Sequence, residues 1–289
     1  MESLDQWHQQ GDYFQCGQHR IFFRTDGDET KPVMLLIHGF PTCSWDWAKV
    51  WDDLKQHFYL VTLDMLGFGY SDKPQQVYSI FQQADIYLAL LDKLNISQFH
   101  ILAHDYGDTV AQELLARLDG FDRIQSVVFG NGGLFPETHQ PVLVQKILLS
   151  SIGGLFAKLI SFKSFKRNLD HICAKKLSEE ELKNYWSMLE HKNGLAVMHR
   201  LVHYMRERRA YRHRWVAIIE KAQTPLHLVD GTLDPISGEN MVKRYEELIP
   251  NASVVRLQDT GHYPQVESPK AFYQSCLPFW QKLGIPLYT

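Results

Sequence analysis

Phe99-His100-Ile101-Leu102-Ala103-His104-Asp105-Tyr106-Gly107 leads from a short apolar, β-prone run into a sharp turn, and a helical pattern follows from Thr109 to Leu118. A nucleophile elbow has this form: its central residue sits on a strained strand-to-helix turn and projects its side chain outward. Small residues two before and two after the centre are required because backbones approach closely there. Ala103 and Gly107 fill those two places. The centre is Asp105, where serine is the usual occupant. Taken alone, an aspartate ahead of a helix reads first as an N-cap. The loops that surround it change that reading.

Pro32 to His38 (PVMLLIH) is apolar without alternation, as expected for a strand buried on both faces. Phe58–Leu63, Ile124–Gly130, Pro225–Val229 and Ser253–Leu257 read as further strands, preceded by an antiparallel pair at Tyr13–Gln15 and Arg20–Arg24. Helical patterns at Ser44–Gln56, Ile80–Leu94, Asn240–Leu248 and Pro269–Leu283 alternate with them, which predicts an α/β fold with a mostly parallel eight-stranded sheet. Between residues 132 and 214 the rhythm stops and the segment is helical and richer in Lys and Arg. The expected organisation is therefore a core of residues 1–131 and 215–289, with residues 132–214 as a helical cap inserted after the sixth strand. Such a cap covers the carboxyl edge of the sheet, where open α/β sheets place ligands.

Three more loops follow strands at that edge. His38-Gly39-Phe40-Pro41 comes after the first buried strand, Gly231-Thr232-Leu233-Asp234-Pro235 after the strand beyond the cap, and Gly261-His262-Tyr263-Pro264 after the last strand. Nucleophile, acid and histidine in this chain order match a catalytic triad of Asp105, Asp234 and His262. An ionised carboxylate can displace a leaving group from an sp3 carbon and form an ester. His262 would then activate water against that ester, oriented by Asp234. The backbone N–H groups of Phe40 and Tyr106 are the expected oxyanion hole. Asp64 and Ser71, in a Gly-rich loop, read as turn formers rather than substrate contacts.

The whole chain resembles the α/β-hydrolase superfamily branch of epoxide hydrolases and haloalkane dehalogenases. His104–Arg117 (HDYGDTVAQELLAR), Asn131–Leu149 (NGGLFPETHQPVLVQKILL), Arg212–Val216 (RHRWV) and His262–Glu267 (HYPQVE) are similar, more specifically, to the mesoderm-specific transcript protein family. The resemblance implies a hydrolase with an aspartate nucleophile and no cofactor or metal. It also exposes departures. Epoxide hydrolases of this branch use two cap tyrosines as proton donors; Tyr204 fits the second, but residues 150–167 offer only Phe156, Phe162 and Phe165 for the first. Many dehalogenases hold halide with an asparagine after His-Gly and a tryptophan after the nucleophile, and those places carry Phe40 and Tyr106. Tyr204, His38 and Trp186 are the candidates for touching substrate. Epoxide-type hydrolysis is the leading expectation, a dehalogenase-like hydrolase the second, and a non-catalytic binding protein of the same fold the third. A serine esterase is excluded at the elbow.

Asp108 occupies a place where a small residue is usual. It is expected as an exposed first-turn charge that complements the helix dipole, with tuning of Asp105 as the alternative. Arg206, Arg208, Arg209, Arg212 and Arg214 are expected to form a solvated helix face, or else to steer an anionic substrate.

Bulk properties bound the rest. Hydrophobic residues make up 45% of the 289 residues, enough for a sizeable core. A net charge of -3 gives no support to nucleic acid as a partner; the resemblance implies a small, largely apolar molecule instead. Cys16, Cys43, Cys173 and Cys276 lie far apart without metal-ligand spacing, which points to a reducing compartment and a cytoplasmic location. The N-terminal ten residues are polar, and Val142–Phe162 is too broken by Lys, Ser and Gly to span a membrane; no signal peptide or transmembrane segment is expected.

Overall fold

The computed structural model describes residues 2–287. The chain opens with α1 (Leu4–Gln9), capped by Ser3 and Gln6 in a reciprocal capping box, and continues through β1 (Asp12–Cys16), β2 (His19–Asp26) and β3 (Val33–Ile37). A 3-10 turn at Ser44–Trp47 and α2 (Trp51–Lys55) lead to β4 (Tyr59–Leu63), α3 (Ile80–Lys93), β5 (Phe99–Ala103), α4 (Tyr106–Leu118) and β6 (Ile124–Phe129). Six helices follow without a strand among the described residues: α5 (Leu143–Leu148), α6 (Gly153–Ala157), α7 (Phe162–Ile172), α8 (Glu179–Glu190), α9 (Met198–Leu201) and α10 (Tyr204–Ala210). Then come α11 (Arg212–Lys221), β7 (Leu226–Gly231), α12 (Glu239–Leu248), β8 (Val254–Leu257), α13 (Pro264–Glu267) and α14 (Pro269–Lys282).

The eight strands form one sheet in the order β1-β2-β4-β3-β5-β6-β7-β8. β2 runs antiparallel to both of its neighbours, and every pair from β4 to β8 is parallel. β5 is buried along its whole length, and β3 along all but its first residue, so helices cover the sheet on both faces. α3 shows how sequence builds that cover. Ser79 accepts the Gln82 N–H at its start, and Ile80, Ala84, Tyr87 and Leu91 recur at helical spacing on the buried side. α3 packs on α4, and α4 packs on α11 and on β3, β5 and β6.

All eight expected strands are present, with ends shifted by a residue or two. The expected helix at Ser44–Gln56 is instead divided into a 3-10 turn and a short α-helix. Trp45, Trp47 and Trp51 are all buried there, and one straight amphipathic helix has no single face that could bury all three. The N-terminal segment is ordered by Trp7, whose ring meets Trp51 edge-on at 4.7 Å. No helix of the described residues is long and apolar enough to cross a membrane.

Candidate active site

β5 delivers Ala103 to the carboxyl edge of the sheet, paired with Ile37 of β3, and α4 begins at Tyr106. Asp105 lies between them with φ 48° and ψ -106°, a left-handed conformation that costs a non-glycine residue on the order of 1–3 kcal/mol. The surroundings hold it there. Its N–H donates to the Asn131 carbonyl at 2.9 Å, and its own carbonyl accepts from Arg208 Nη2 at 2.7 Å. Gly107 has to be glycine because a Cβ would stand 2.4 Å from the Ile37 carbonyl oxygen. The Asp105 carboxyl is buried, and its Oδ2 accepts the Phe40 backbone N–H at 2.9 Å. Tyr106 supplies the first peptide of α4 immediately beside it.

His262 follows β8 and lies buried, with Nδ1 donating to Asp234 Oδ2 at 2.8 Å. Asp234 is itself held by four donors. Ile236 N–H reaches Oδ1, while Ser237 N–H, Ser237 Oγ and Asn131 Nδ2 reach Oδ2, all within 3.1 Å. Burial works to raise the Asp234 carboxyl, but the neighbouring imidazolium and these donors hold it below its ordinary value. Burial likewise disfavours charge on His262. The Asp234 carboxylate outweighs it, with Asp105 and Glu267 adding to the effect, and His262 is pushed up to about 9. His104 ties the two halves together. Its Nε2–H donates to the His262 carbonyl at 2.7 Å, and burial lowers its own pKa to about 4.

A cavity of about 580 Å³, counting its open mouth, reaches His262 and Phe40. Most of the remaining wall comes from α5 to α7 and the residues flanking them, with Val142, Val144, Phe156, Ile160, Phe165 and Ile172 making it apolar. The expected residues Asp105, His262, Asp234, Phe40 and Tyr106 therefore converge. Tyr204, at the head of α10, lies beside the elbow rather than in the cavity lining: its ring centroid is 4.8 Å from Tyr106 and 6.0 Å from Phe40, and the Arg208 guanidinium lies 4.5 Å over its face. Its hydroxyl is buried and makes no hydrogen bond in normal geometry among the described residues, with the Arg208 and Gln145 side chains beside it.

His38 and Trp186, the other two expected substrate contacts, do not line the cavity either. Both nitrogens of His38 are used by the chain, Nδ1–H donating to the Gly39 carbonyl at 2.9 Å and Nε2 accepting the Met65 N–H at 3.0 Å. That fixes the ring as a neutral brace between two loops, and burial lowers its pKa further. Trp186 packs on Phe162 and Phe165, and of these rings it is Phe165 that lines the cavity.

Two expectations of exposure also fail. Asp108 is fully buried, with neither carboxyl oxygen hydrogen-bonded in normal geometry among the described residues. Burial pushes it well above the ordinary carboxylate range, against the pull of Arg208. The arginine cluster is not one solvated face. Arg212 pairs with Glu137, Arg214 pairs with Glu113, and Arg208 is 3% exposed with its Nε donating to Thr109 Oγ1 at 2.7 Å and its Nη2 3.9 Å from Asp105 Oδ1.

Asn131 was not singled out from the sequence, yet it joins the elbow to the acid. Its backbone carbonyl accepts from Asp105, and its side chain bridges Asp234 and the Gly231 backbone. The available signal was its place directly beyond β6, at the same edge as the other functional loops.

A family model described as the alpha/beta hydrolase fold matches residues 32–269. The mesoderm-specific transcript homolog protein of Bos taurus is 38% identical across 96% of this chain and 88% of its own length. The mesoderm-specific transcript protein of Mus musculus is 37% identical over the same shares. Among solved structures, the haloalkane dehalogenase DbeA from Bradyrhizobium elkani superposes with a TM-score of 0.83 over 95% of this chain and 98% of its own, at 21% identity.

Proposed function

The chain belongs to the alpha/beta hydrolase fold family and, within it, to the mesoderm-specific transcript protein family, and from that premise we propose that it hydrolyses a small, largely apolar molecule at an sp3 carbon through an ester on Asp105. The observation that carries this reading is the carboxylate on the strained turn: its Oδ2 accepts the Phe40 N–H, and the His262–Asp234 pair lies close enough for the Asp105 charge to favour the imidazolium. Residues 132–214 act as the cap that closes the apolar side of the cavity.

For an epoxide, the leading substrate class, the bookkeeping closes. The Asp105 oxygen attacks carbon, the C–O bond of the ring breaks, and the alkoxide takes a proton from Tyr204. Burial raises the Tyr204 phenol, so it keeps its proton until a base as strong as an alkoxide forms. The His262 imidazolium makes good that proton. Having given up that proton, the imidazole leaves the first step neutral and able to act as a base, and esterification has erased one of the charges that favour its protonation. It then takes a proton from water, the hydroxide attacks the ester carbonyl, and the Phe40 and Tyr106 N–H groups receive the oxyanion. Collapse breaks the ester C–O bond, the departing alkoxide takes the proton of the added hydroxyl and leaves as the diol, and Asp105 returns as carboxylate with His262 as imidazolium.

Displacement of halide would use the same nucleophile and base without the tyrosine, and the overall likeness to a dehalogenase keeps that chemistry as the second reading. His262→Ala removes the base of the second step and, for an epoxide, the group that reprotonates Tyr204 after ring opening, so the ester should form and persist. Incubated with a panel of epoxides and alkyl halides, this variant should accumulate a mass increment on the Asp105 peptide. No increment across the panel, from a variant that melts as the parent does, would reject the covalent reading and favour a binding protein.

A further inference from the structure

Half of the exposed large hydrophobic side chains of the described residues fall in one short stretch: Leu143 is 71% exposed, Ile152 60%, Leu155 66% and Leu159 71%. Ile152, Leu155 and Leu159 recur at helical spacing, and backbone bonds from Leu155 and Phe156 to Ile152, and from Leu159 to Phe156, keep that path helical through both ends of α6. α5, which carries Leu143, packs against α6. The opposite side of the same stretch is inward: Leu148 and Ala157 are buried, and Val144, Phe156 and Ile160 line the cavity. The stretch is thus apolar on both sides, with one side facing the site and the other facing solvent.

Charge sets this face apart from the rest of the molecule. Residues 138–169 contain Lys146, Lys158, Lys163, Lys166 and Arg167 and no aspartate or glutamate, in a chain whose net charge is -3. Lys166 stands 3.8 Å from Asp170 and 3.9 Å from Glu179, whereas Lys146, Lys158, Lys163 and Arg167 make no ion pair among the described residues. Exposed leucines and isoleucine among uncompensated cations are the composition of a surface that lies in a lipid headgroup region, apolar side chains inserted and cations on anionic headgroups. A second copy of the chain fits less well, because a two-fold interface would set these cations against themselves.

We propose that the outer face of α5 and α6, from Leu143 to Leu159 with Lys158 and Lys163, docks the protein on an anionic lipid surface. Docking there would bring the cavity wall formed by Val144, Phe156 and Ile160 against the phase in which an apolar substrate concentrates. The proposal goes beyond the hydrolytic reading and stands without it, since it is tested by binding alone.

The full chain should sediment with phosphatidylcholine vesicles containing phosphatidylserine and much less with phosphatidylcholine alone, and added salt should release it. Leu155→Ser with Leu159→Ser should lower partitioning about tenfold or more, as expected for two inserted aliphatic side chains. Lys158→Gln with Lys163→Gln should lower it about fivefold per cation on anionic vesicles and leave phosphatidylcholine binding unchanged. All four side chains are exposed, and the lysine pair, which removes no apolar contact, carries the test if the leucine pair alters melting. Failure of the parent to sediment with anionic vesicles, or equal binding by parent and lysine variant, overturns the proposal. So does a dimer in light scattering that the leucine pair dissolves, because the face would then belong to a second copy.

Discussion

Asp108 shows how much a single position can depend on what lies above it. Three residues beyond Asp105 it reads as an ordinary first-turn charge, and nothing local in the sequence predicts its burial. In the fold Gly132 passes so close that a Cβ there would stand 2.1 Å from Asp108 Oδ2. A carboxyl whose folded pKa lies above its unfolded value binds an extra proton on folding, so stability falls as the pH rises from about 4 upward. Asp108→Asn keeps the shape and removes the titration. Denaturation midpoints of the two proteins should converge near pH 4, and the variant should be the more stable by about 1 kcal/mol or more at pH 8. A variant less stable at pH 8 would show Asp108 to be an ionised partner of Arg208. Tyr204 poses the chemical counterpart. If its phenol protonates the epoxide oxygen, Tyr204→Phe should slow ester formation on epoxides by about 10²-fold or more and leave halide displacement nearly unchanged. Equal small losses on both would assign Tyr204 to packing against Phe40 and Tyr106.

Helices and strands differ in how openly the sequence declares them. β3 and β5 are read at once because a strand covered on both faces is an unbroken apolar run. The loops at their ends could be placed for the same reason. What stayed hidden are the connections between elements distant in sequence. Asn131 links the end of β6 to the Asp234 loop beyond β7, and Arg208 of α10 reaches the Asp105 carbonyl across a separation of 103 residues. No periodicity carries such pairings. Arg208 nevertheless makes a definite prediction for α10, since it is a buried link from that helix to the elbow. Arg208→Met leaves the Asp105 carbonyl and the Thr109 hydroxyl without their donor, which should cost about 2 kcal/mol or more. Hydrogen exchange of the α10 amides should then accelerate relative to β5. Unchanged protection in α10 would mean that apolar packing of Tyr204 and Met205 holds the helix without the arginine.

At the scale of the molecule, two bodies of residues close on one carboxylate. The sheet edge contributes the elbow, the Phe40 amide and the His262–Asp234 pair, and α5 to α10 contribute an apolar wall, Tyr204 and Arg208. The proposed mechanism therefore requires Asp105 to form and lose a covalent bond in each turnover, and the position of the oxygen from water reports this. A single turnover in heavy-oxygen water, with enzyme in excess over substrate, should place the label in the Asp105 carboxylate, because water attacks the enzyme's carbonyl carbon and not the substrate. Peptide mass spectrometry reads the label directly. Label in the Asp105 peptide with unlabelled first-turnover product is the predicted result; label confined to the product, with an unlabelled Asp105 peptide, would mean direct attack by water and contradict the account.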